Sequence, residues 1–382
     1  MQFFRENIVL NSYQRTVMCL KEEYLSKRKG PWIVAWSGGK DSTLLLHAVC
    51  EALAELSRKD RLRPVYVLTN DTLVESPFVN EYIQKQERIL QDYFADGSLR
   101  MEFFKSVPLN KDSYWVNVIG KGYPAPTRHF RWCTDRLKIR PTVRFIKEIT
   151  ETFGHSTLLL GVRRTESSQR AKIAKKYDDA GHLNPHNSLP NCMVFRPILD
   201  WKTDAVWEFL AEQRPPWGGD YQDLVSLYRD AVGGECPVVI DPDAAPSCGS
   251  SSIRFGCWTC TVVQKDKSFR GSIENSDETF APMADFRDWL KIVSADKQRR
   301  MGIRRNGSPG LGPMNFELRE EILEKLLKVQ SQVSLTLISE LELHEIRRIW
   351  RVDRVMFDGY FRFREAKHER EVNEQQIQAA QI

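Results

Sequence analysis

A glycine-rich segment near the start of the chain has the residue types of a phosphate-binding loop. It follows the apolar run Trp32 to Trp36, precedes an apolar helical pattern, and reads Ser37, Gly38, Gly39, Lys40, Asp41, Ser42 and Thr43. Free N–H groups at a helix N-terminus and the helix dipole favour phosphate, and two glycines let the backbone curl close to it. The hydroxyls and Lys40 can contact phosphate oxygens, and Asp41 can cap the helix or hold a bridging Mg2+. We therefore predict that these seven residues bind a nucleotide.

The spacing of this segment differs from the phosphate loop that usually accompanies γ-phosphate cleavage, because half of that motif is missing. The pattern S-G-G-x-D-S instead resembles the PP-loop of the ATP pyrophosphatase superfamily. The resemblance implies that ATP is split between its α- and β-phosphates, so that a substrate oxygen is adenylated and pyrophosphate leaves. A Gly-Gly turn closed by a serine or aspartate cap is the alternative.

A second run, Gly161 to Arg170, resembles the G-x-R-x-x-E-S-x-x-R element of the phosphoadenylylsulfate reductase branch of that superfamily. Arg163 and Arg170 offer forked donors suited to phosphate or sulfate oxygens, and Glu166 can hold one of them in position. The segments 131–139 and 197–207 resemble two further elements of the branch, in the same order. We expect Lys40, Arg163 and Arg170, with Mg2+, to offset charge in the transition state.

Asn70 and Asp71 end the second predicted strand, next to the crevice where open α/β sheets bind ligands. From this position and from the family resemblance we expect them to face the nucleoside, together with Gly161. A plain strand-ending turn is the alternative.

The cysteines are too few for a secreted disulfide scaffold, at eight in 382 residues, but four cluster at Cys236, Cys248, Cys257 and Cys260. Thiolates in a loop-rich segment, here 217–267, favour a metal site over a disulfide pair. On spacing alone, zinc and a [4Fe-4S] cluster are equally good interpretations.

The run Cys248 to Val263, continued by 266–268, closely resembles the DndC proteins of bacterial DNA phosphorothioation and their SspD relatives, as do 312–319 and 323–327. The resemblance implies a PP-loop combined with an iron-sulfur cluster. It further implies DNA as the acceptor, a cysteine desulfurase as sulfur donor, and other DNA phosphorothioation proteins as partners.

Cys133 has two possible roles. In the assimilatory adenylylsulfate reductases a cysteine at the matching landmark ligates the cluster, so Cys133 can replace Cys236 as a ligand. Alternatively it is a catalytic, sulfur-carrying thiolate whose pKa is lowered by the nearby Arg131, Arg136 and Lys138. We favour Cys236 as the ligand. The remaining cysteines are interpreted as structural.

The alternation of apolar runs with amphipathic stretches between 32 and 161 predicts an α/β fold. Its sheet is expected to be doubly wound and mostly parallel, of the PP-loop (adenine nucleotide alpha hydrolase-like) type, with C-terminal helices. Three domains are predicted: a PP-loop domain over 1–215, a cysteine-rich iron-sulfur segment over 216–270, and a helical region over 271–382.

The basic residues are unevenly distributed, although the net charge is only 56 − 51 = +5. Runs at 128–144, 163–176 and 297–305 would form a groove for a nucleic-acid backbone if they converge near the phosphate loop, whereas separate solvated faces are the alternative. No apolar run approaches the roughly 20 residues of a membrane span, and the first residues do not resemble a signal peptide, so we expect a cytoplasmic protein without a membrane partner.

These observations lead to one preferred function. We expect an ATP pyrophosphatase that adenylates a DNA backbone phosphate for sulfur insertion. The alternatives are tRNA thiolation, a zinc-stabilised nucleic-acid-binding module, and an adenylylsulfate-type reductase. Reductases of that kind generally use a cysteine near the C-terminus, and no cysteine follows Cys260 in this sequence.

Overall fold

The structure is a computed structural model that describes residues 2–164, 182–231 and 256–359. These residues fall into two compact units. The first includes residues up to 108 and from 132 to 284, and the second includes 109–131 and the residues from 285 onward. The three-domain division with boundaries near 215 and 270 stays a prediction.

The first unit is built on one six-stranded sheet. In chain order the strands are β1 (Trp32–Ala35), β2 (Val65–Asn70), β3 (Met101–Ser106), β4 (Ser156–Leu160), β5 (Leu183–Pro185) and β6 (Cys192–Phe195), and in space they run β3-β2-β1-β4-β6-β5. Every pairing is parallel except that of β5 with β6. The predicted α/β fold with a mostly parallel sheet is confirmed.

The strand order reverses direction at β1. The chain moves outward from β1 to β2 and β3 and then returns to place β4 on the other side of β1, so that Trp32 lies opposite both Val65 and Thr157. In open α/β sheets this reversal leaves a crevice at the carboxyl ends of the two central strands. The segments that follow β1 and β4 therefore meet at one place.

Helices of the first unit cover the two faces of the sheet. In chain order they are α1 (Gln2–Leu25), α2 (Lys40–Ala54), α3 (Pro77–Phe94), α4 (Arg140–Phe153), α5 (Thr203–Glu212), α6 (Gln222–Asp230) and α7 (Lys267–Asn275). One apolar cluster joins α1, α2 and α5 to the sheet, with Leu20, Leu45 and Phe209 among its buried members. In the other cluster, Ile146 of α4 packs with Ile33 and Leu158. Because helices cover the sheet, its central strands read as continuous apolar runs.

The second unit is helical in the part that the structure describes. The helix α8 (Ala281–Ala295) leads into it, and α9 (Phe316–Val333) and a helix over 340–359, here α10, follow. A π-helical turn at Val116–Gly120 packs against α9. Across the described ranges of both units, no helix is long and apolar enough to cross a membrane.

A buried guanidinium holds the second unit together. Arg319 of α9 is fully buried and donates to the carbonyls of Met314 at 2.8 Å and Gly120 at 3.0 Å, and to Asp353 Oδ2 of α10 at 2.9 Å. Asp353 also accepts from Arg305. Burial lowers the pKa of Arg319 to about 10, and Asp353 opposes that shift. One carboxylate thus fixes α10 against α9 and against the loop that carries Arg305.

Replacing this shared carboxylate tests the arrangement. We expect Asp353→Asn to lower the free energy of unfolding by about 3 kcal/mol, because it leaves a buried guanidinium without its counter-charge. Urea unfolding followed by tryptophan fluorescence measures the change. The matched control is Glu320→Gln, whose pair with Arg354 is largely exposed, with side-chain exposures of 44% and 57%. Equal effects of the two substitutions would contradict the argument.

Candidate functional site

The predicted phosphate loop, 37–43, connects β1 to α2 at the switch point of the sheet. Gly38 has φ +73°, which favours glycine, and a Cβ there would lie 2.3 Å from Ile83 Cδ1. Ser42 Oγ accepts from the Ser37 N–H at 3.1 Å and donates to the Gly39 carbonyl at 2.9 Å. Gly39 is the N-cap of α2 and supplies no side-chain cap. The loop thus curls on itself before the helix begins.

An ion-pair clamp surrounds Asp41 in the first turn of α2. Arg163 Nε donates to Oδ1 at 2.6 Å, and Lys40 Nζ donates to Oδ2 at 3.1 Å. Arg163 follows β4, is 1% exposed, and also donates from Nη1 to Thr203 Oγ1 at 3.0 Å. The clamp therefore links the carboxyl ends of β1 and β4. With two cations and one carboxylate, it has a net charge of +1. Its excess positive charge favours an anion beside the helix N-terminus.

Gly161 lets the end of β4 approach the loop closely. A Cβ on Gly161 would lie 2.8 Å from the Asp41 carbonyl oxygen and 3.0 Å from Ser42 Cα. Both neighbours are backbone atoms, which cannot swing aside as a flexible side chain can. The predicted site residues Lys40, Asp41, Gly161 and Arg163 are thus brought together.

The sequence did not indicate one aromatic residue of this site, Tyr228. Lys40 Nζ lies 5.6 Å from the centre of its ring, and its hydroxyl lies 3.5 Å from the Lys40 N–H nitrogen. Burial raises the pKa of Tyr228, so the hydroxyl stays neutral. Tyr228 lies on α6, which falls in the stretch 217–267 that we interpreted as loop-rich. The spacing of Tyr221, Leu224 and Tyr228, all buried, is the helical signal that was available.

Asn70 and Asp71 make the contacts of a strand-ending turn. The Asn70 amide donates to the Lys138 carbonyl and to Thr142 Oγ1, both at 2.9 Å, and Asp71 Oδ1 accepts from the Leu73 N–H at 2.8 Å. That these two residues face the nucleoside stays a prediction. Thr43 is buried, and its hydroxyl accepts from the Trp36 indole at 3.2 Å.

The Cys257-x-x-Cys260 segment docks on the loop that follows β2. The Trp258 N–H donates to the Val74 carbonyl at 3.0 Å, and the Cys260 N–H donates to the Cys257 carbonyl at 3.1 Å. Cys257 Sγ lies 3.2 Å from the Thr72 hydroxyl oxygen. Burial and the nearby Glu75 carboxylate raise the pKa of the Cys257 thiol. Backbone hydrogen bonds thus fix one predicted ligand segment beside the carboxyl end of the sheet.

Cys133 lies in the same neighbourhood. Burial, and then the Cys260 thiol, raise its pKa, so the expectation that adjacent cations lower it is wrong. Partial desolvation lowers the pKa of Lys138, whose side chain is 48% exposed, but Glu75 and the thiols of Cys257, Cys133 and Cys260 together outweigh that effect and raise it. Three thiols therefore lie near enough to the Lys138 ammonium to interact with it electrostatically.

Four predicted site residues lie outside the described ranges: Glu166, Arg170, Cys236 and Cys248. Within those ranges, no three cysteine, histidine or carboxylate side chains converge to the separation that would hold one metal ion. The predicted zinc or iron-sulfur site therefore stays a prediction.

Several cations of the basic runs are bonded to other groups of the protein. Arg299 pairs with Glu321 at 2.6 Å, and Arg300 donates to the Gly312 carbonyl. In the run 128–144, Arg144 donates to the Val107 carbonyl at 2.8 Å. A groove formed by the three runs stays a prediction.

Comparison with known proteins places this site in a family. Residues 31–263 match the family described as the phosphoadenosine phosphosulfate reductase domain. The chain belongs to this family. The predicted resemblance to the phosphoadenylylsulfate reductase branch of the PP-loop superfamily is thereby confirmed, with the clamp on Asp41 in the matched region.

One curated relative is an uncharacterized protein of Methanocaldococcus jannaschii, 27% identical over 214 residues, or 56% of this chain. The chain spans only 38% of the length of that relative.

Similar solved structures include the phosphoadenylyl-sulfate reductase from Candida auris, with 14% identity, a TM-score of 0.32 and coverage of 50% of this chain and 81% of that one. The U34-tRNA thiolase NcsA from Methanococcus maripaludis, with its [4Fe-4S] cluster, has 10% identity, a TM-score of 0.34 and coverage of 57% and 70%.

The close approach of Gly161 generates a test of the nucleotide site. We expect Gly161→Ala to raise the ATP dissociation constant by about tenfold, because the added methyl pushes the loop backbone away from β4; that change equals about 1.4 kcal/mol. Isothermal titration calorimetry measures it. Gly302→Ala is the matched control, since a Cβ there meets nothing within 4 Å. Unchanged ATP binding by Gly161→Ala would argue that the site does not depend on this close approach.

Proposed function

We propose that this protein is an ATP pyrophosphatase that adenylates a backbone phosphate of DNA for sulfur insertion. The observation that carries the proposal is the Asp41 carboxylate held between Lys40 and Arg163 where α2 begins. The clamp leaves one excess cation beside free helix N–H groups, and such a site suits the phosphates of ATP. The resemblance of the run 248–263 to DndC and SspD proteins supports DNA as the acceptor.

In the first step, an ionised oxygen of the DNA phosphodiester attacks the α-phosphorus of ATP. The bond between that phosphorus and the β-phosphate oxygen breaks, and pyrophosphate leaves with the electron pair. No general base is needed, since the attacking oxygen already carries its charge. Lys40 offsets charge on the departing phosphates, and Mg2+, if held by Asp41, would supply further neutralisation. Arg163 acts mainly through Asp41, because its guanidinium is buried and bonded within the protein.

In the second step, sulfide attacks the adenylated DNA phosphorus, after a thiol reductant has released it from the persulfide of a cysteine desulfurase. The bond from that phosphorus to the AMP oxygen breaks, and AMP leaves, so that sulfur replaces one non-bridging oxygen. Adenylation converts a poor leaving oxygen into a good one, and this is the reason for using ATP.

The clamp and the loop serine generate a test of the first step. We expect Asp41→Ala and Ser42→Ala each to lower the rate of DNA-dependent pyrophosphate release by about a hundredfold or more, the range typical of groups that organise a transition state. Asp96→Ala and Ser57→Ala, which alter surface residues away from the loop, are the matched controls. Turnover that survives in the Asp41 and Ser42 variants would show that the loop is not the ATP site.

We further propose that Cys133, Cys257 and Cys260 supply three ligands of a [4Fe-4S] cluster, and that Cys236 or Cys248 supplies the fourth. Thiolates suit iron-sulfur clusters, and each thiolate of such a cluster binds a different iron, so the sulfurs need not converge on one point. The shared neighbourhood around Lys138 supports Cys133 as a ligand rather than as a free sulfur carrier. When bound, the cluster would hold or relay sulfide.

Iron content tests this ligand set. In anaerobically purified single Cys→Ser variants, we expect loss of iron and acid-labile sulfide at Cys133, Cys257 and Cys260, and at one of Cys236 and Cys248. Cys19→Ser, on α1, is the control and should keep its iron. Full iron in Cys133→Ser, with loss in both Cys236→Ser and Cys248→Ser, would favour the four clustered cysteines as the ligands. One zinc per chain without acid-labile sulfide would indicate a structural zinc site instead of the cluster.

The family description itself favours a second candidate, a reductase of adenylylated sulfate. The two functions differ in their products. Sulfite formed from an adenylylated sulfate with a dithiol reductant would support the reductase, whereas AMP and pyrophosphate formed only with DNA would support our proposal. Stimulation by tRNA in place of DNA would indicate tRNA thiolation.

A further inference from the structure

A stripe of basic residues runs along one face of α10. His344, Arg347, Arg351 and Arg354 recur at intervals of three and four residues, which places them on one side of a helix. With Trp350 they line a concave region of about 440 Å³. We call these five residues the arginine stripe. At about 1.5 Å per residue, Arg347 and Arg351 at its middle lie about 6 Å apart along the helix axis.

The cations at the middle of the stripe differ from their neighbours. In the described ranges, Arg347 and Arg351 are exposed and pair with no carboxylate. Arg348, adjacent in sequence, pairs with Glu345 at 2.7 Å. An exposed arginine that is paired offers little charge to a ligand, whereas two unpaired ones keep all five N–H donors each. The stripe therefore presents positive charge that the second unit itself does not use.

The stripe is held in a fixed orientation. Asp353, on the opposite side of α10, is buried against Arg319 and Arg305, which sets the rotation of the helix. The Trp350 indole donates to the Ile119 carbonyl at 2.9 Å, and this bond fixes the ring at the edge of the stripe. Arg354 is held by Glu320 at 2.7 Å and lies 5.4 Å from the centre of the Phe316 ring. These contacts fix the backbone of α10, so the positions from which Arg347 and Arg351 project are set before a ligand binds.

We propose that the arginine stripe binds the phosphate backbone of duplex DNA, an inference that rests on the proposed function. The unpaired cations complement a polyanion. Since one DNA strand carries a phosphate about every 3.4 Å of helix axis, two arginines about 6 Å apart can contact about two phosphates. Contacts of this kind fix the position of DNA without reading its sequence. The stripe thus supplies non-specific affinity that is separate from the residues of the ATP site.

The experiment measures binding of a labelled 30-base-pair duplex by fluorescence anisotropy at several salt concentrations. The test variant is Arg347→Gln with Arg351→Gln in the full chain, and the matched control is Arg348→Gln, which removes a cation that is already paired. We expect the double variant to bind DNA about tenfold more weakly near 0.1 M salt. We also expect the slope of log K against log salt to become less negative by about 2, because each removed arginine neutralises one phosphate. The Arg348 control should change neither quantity appreciably.

The outcomes separate this inference from the proposed function. A double variant that binds DNA as the unaltered protein does would overturn the stripe and leave the proposed function standing. Failure of the unaltered protein to bind DNA would overturn both. Replacement of both arginines with lysine should restore most of the affinity, because binding to phosphate needs charge more than a planar fork. ATP binding without DNA, measured in parallel, should be the same in all variants and shows that they are folded.

Discussion

The pairing of Asp41 with Arg163 is the constraint on which the candidate site depends. A guanidinium that is 1% exposed is costly to bury without a counter-charge, and the Asp41 carboxylate supplies one at 2.6 Å. Because Asp41 follows β1 and Arg163 follows β4, the pair also fixes the distance between the two central strands. Lys40 adds a second cation to the same carboxylate. The site is therefore left one negative charge short of neutrality, and a bound phosphate would supply that charge.

Local pattern was enough to predict the parts of this site that are close in sequence. An apolar strand, two glycines and an apolar helix specify the loop. Each of these elements can be recognised from a short, continuous stretch of sequence. Contacts between residues that are far apart in the sequence leave no such local pattern. Tyr228 is 188 residues from Lys40, and its role appears only when α6 is folded against α2. In that packing the Tyr221 hydroxyl lies 2.6 Å from Nδ1 of the buried His47.

Cys133 shows why counting charges along the sequence can mislead. In the sequence, three neighbouring cations predict a lowered pKa for this thiol. In the fold, the thiol is partly buried and lies near enough to the Cys260 thiol to interact with it, and both effects disfavour its thiolate. Lys138 does lie nearby, but it is shared among three thiols and the Glu75 carboxylate. The same burial that opposes a free nucleophile is compatible with a metal ligand, whose thiolate is stabilised by the metal charge.

The second unit illustrates a similar limit for charged surfaces. From the sequence, the basic run at 297–305 could either contribute to a groove for a polyanion or lie on a solvated face. In the fold, Arg305 and Arg300 are bonded to Asp353 and to the Gly312 carbonyl, so they stabilise the unit itself. Adjacent residues of α10 divide in the same way, since Arg348 has a carboxylate partner and Arg347 faces outward. Because an exposed ion pair adds little to stability and a bonded cation offers little to a ligand, the charges that matter for binding are those the fold leaves unpaired. Composition does not reveal how many cations are unpaired, because that number depends on the partners of each guanidinium in the fold.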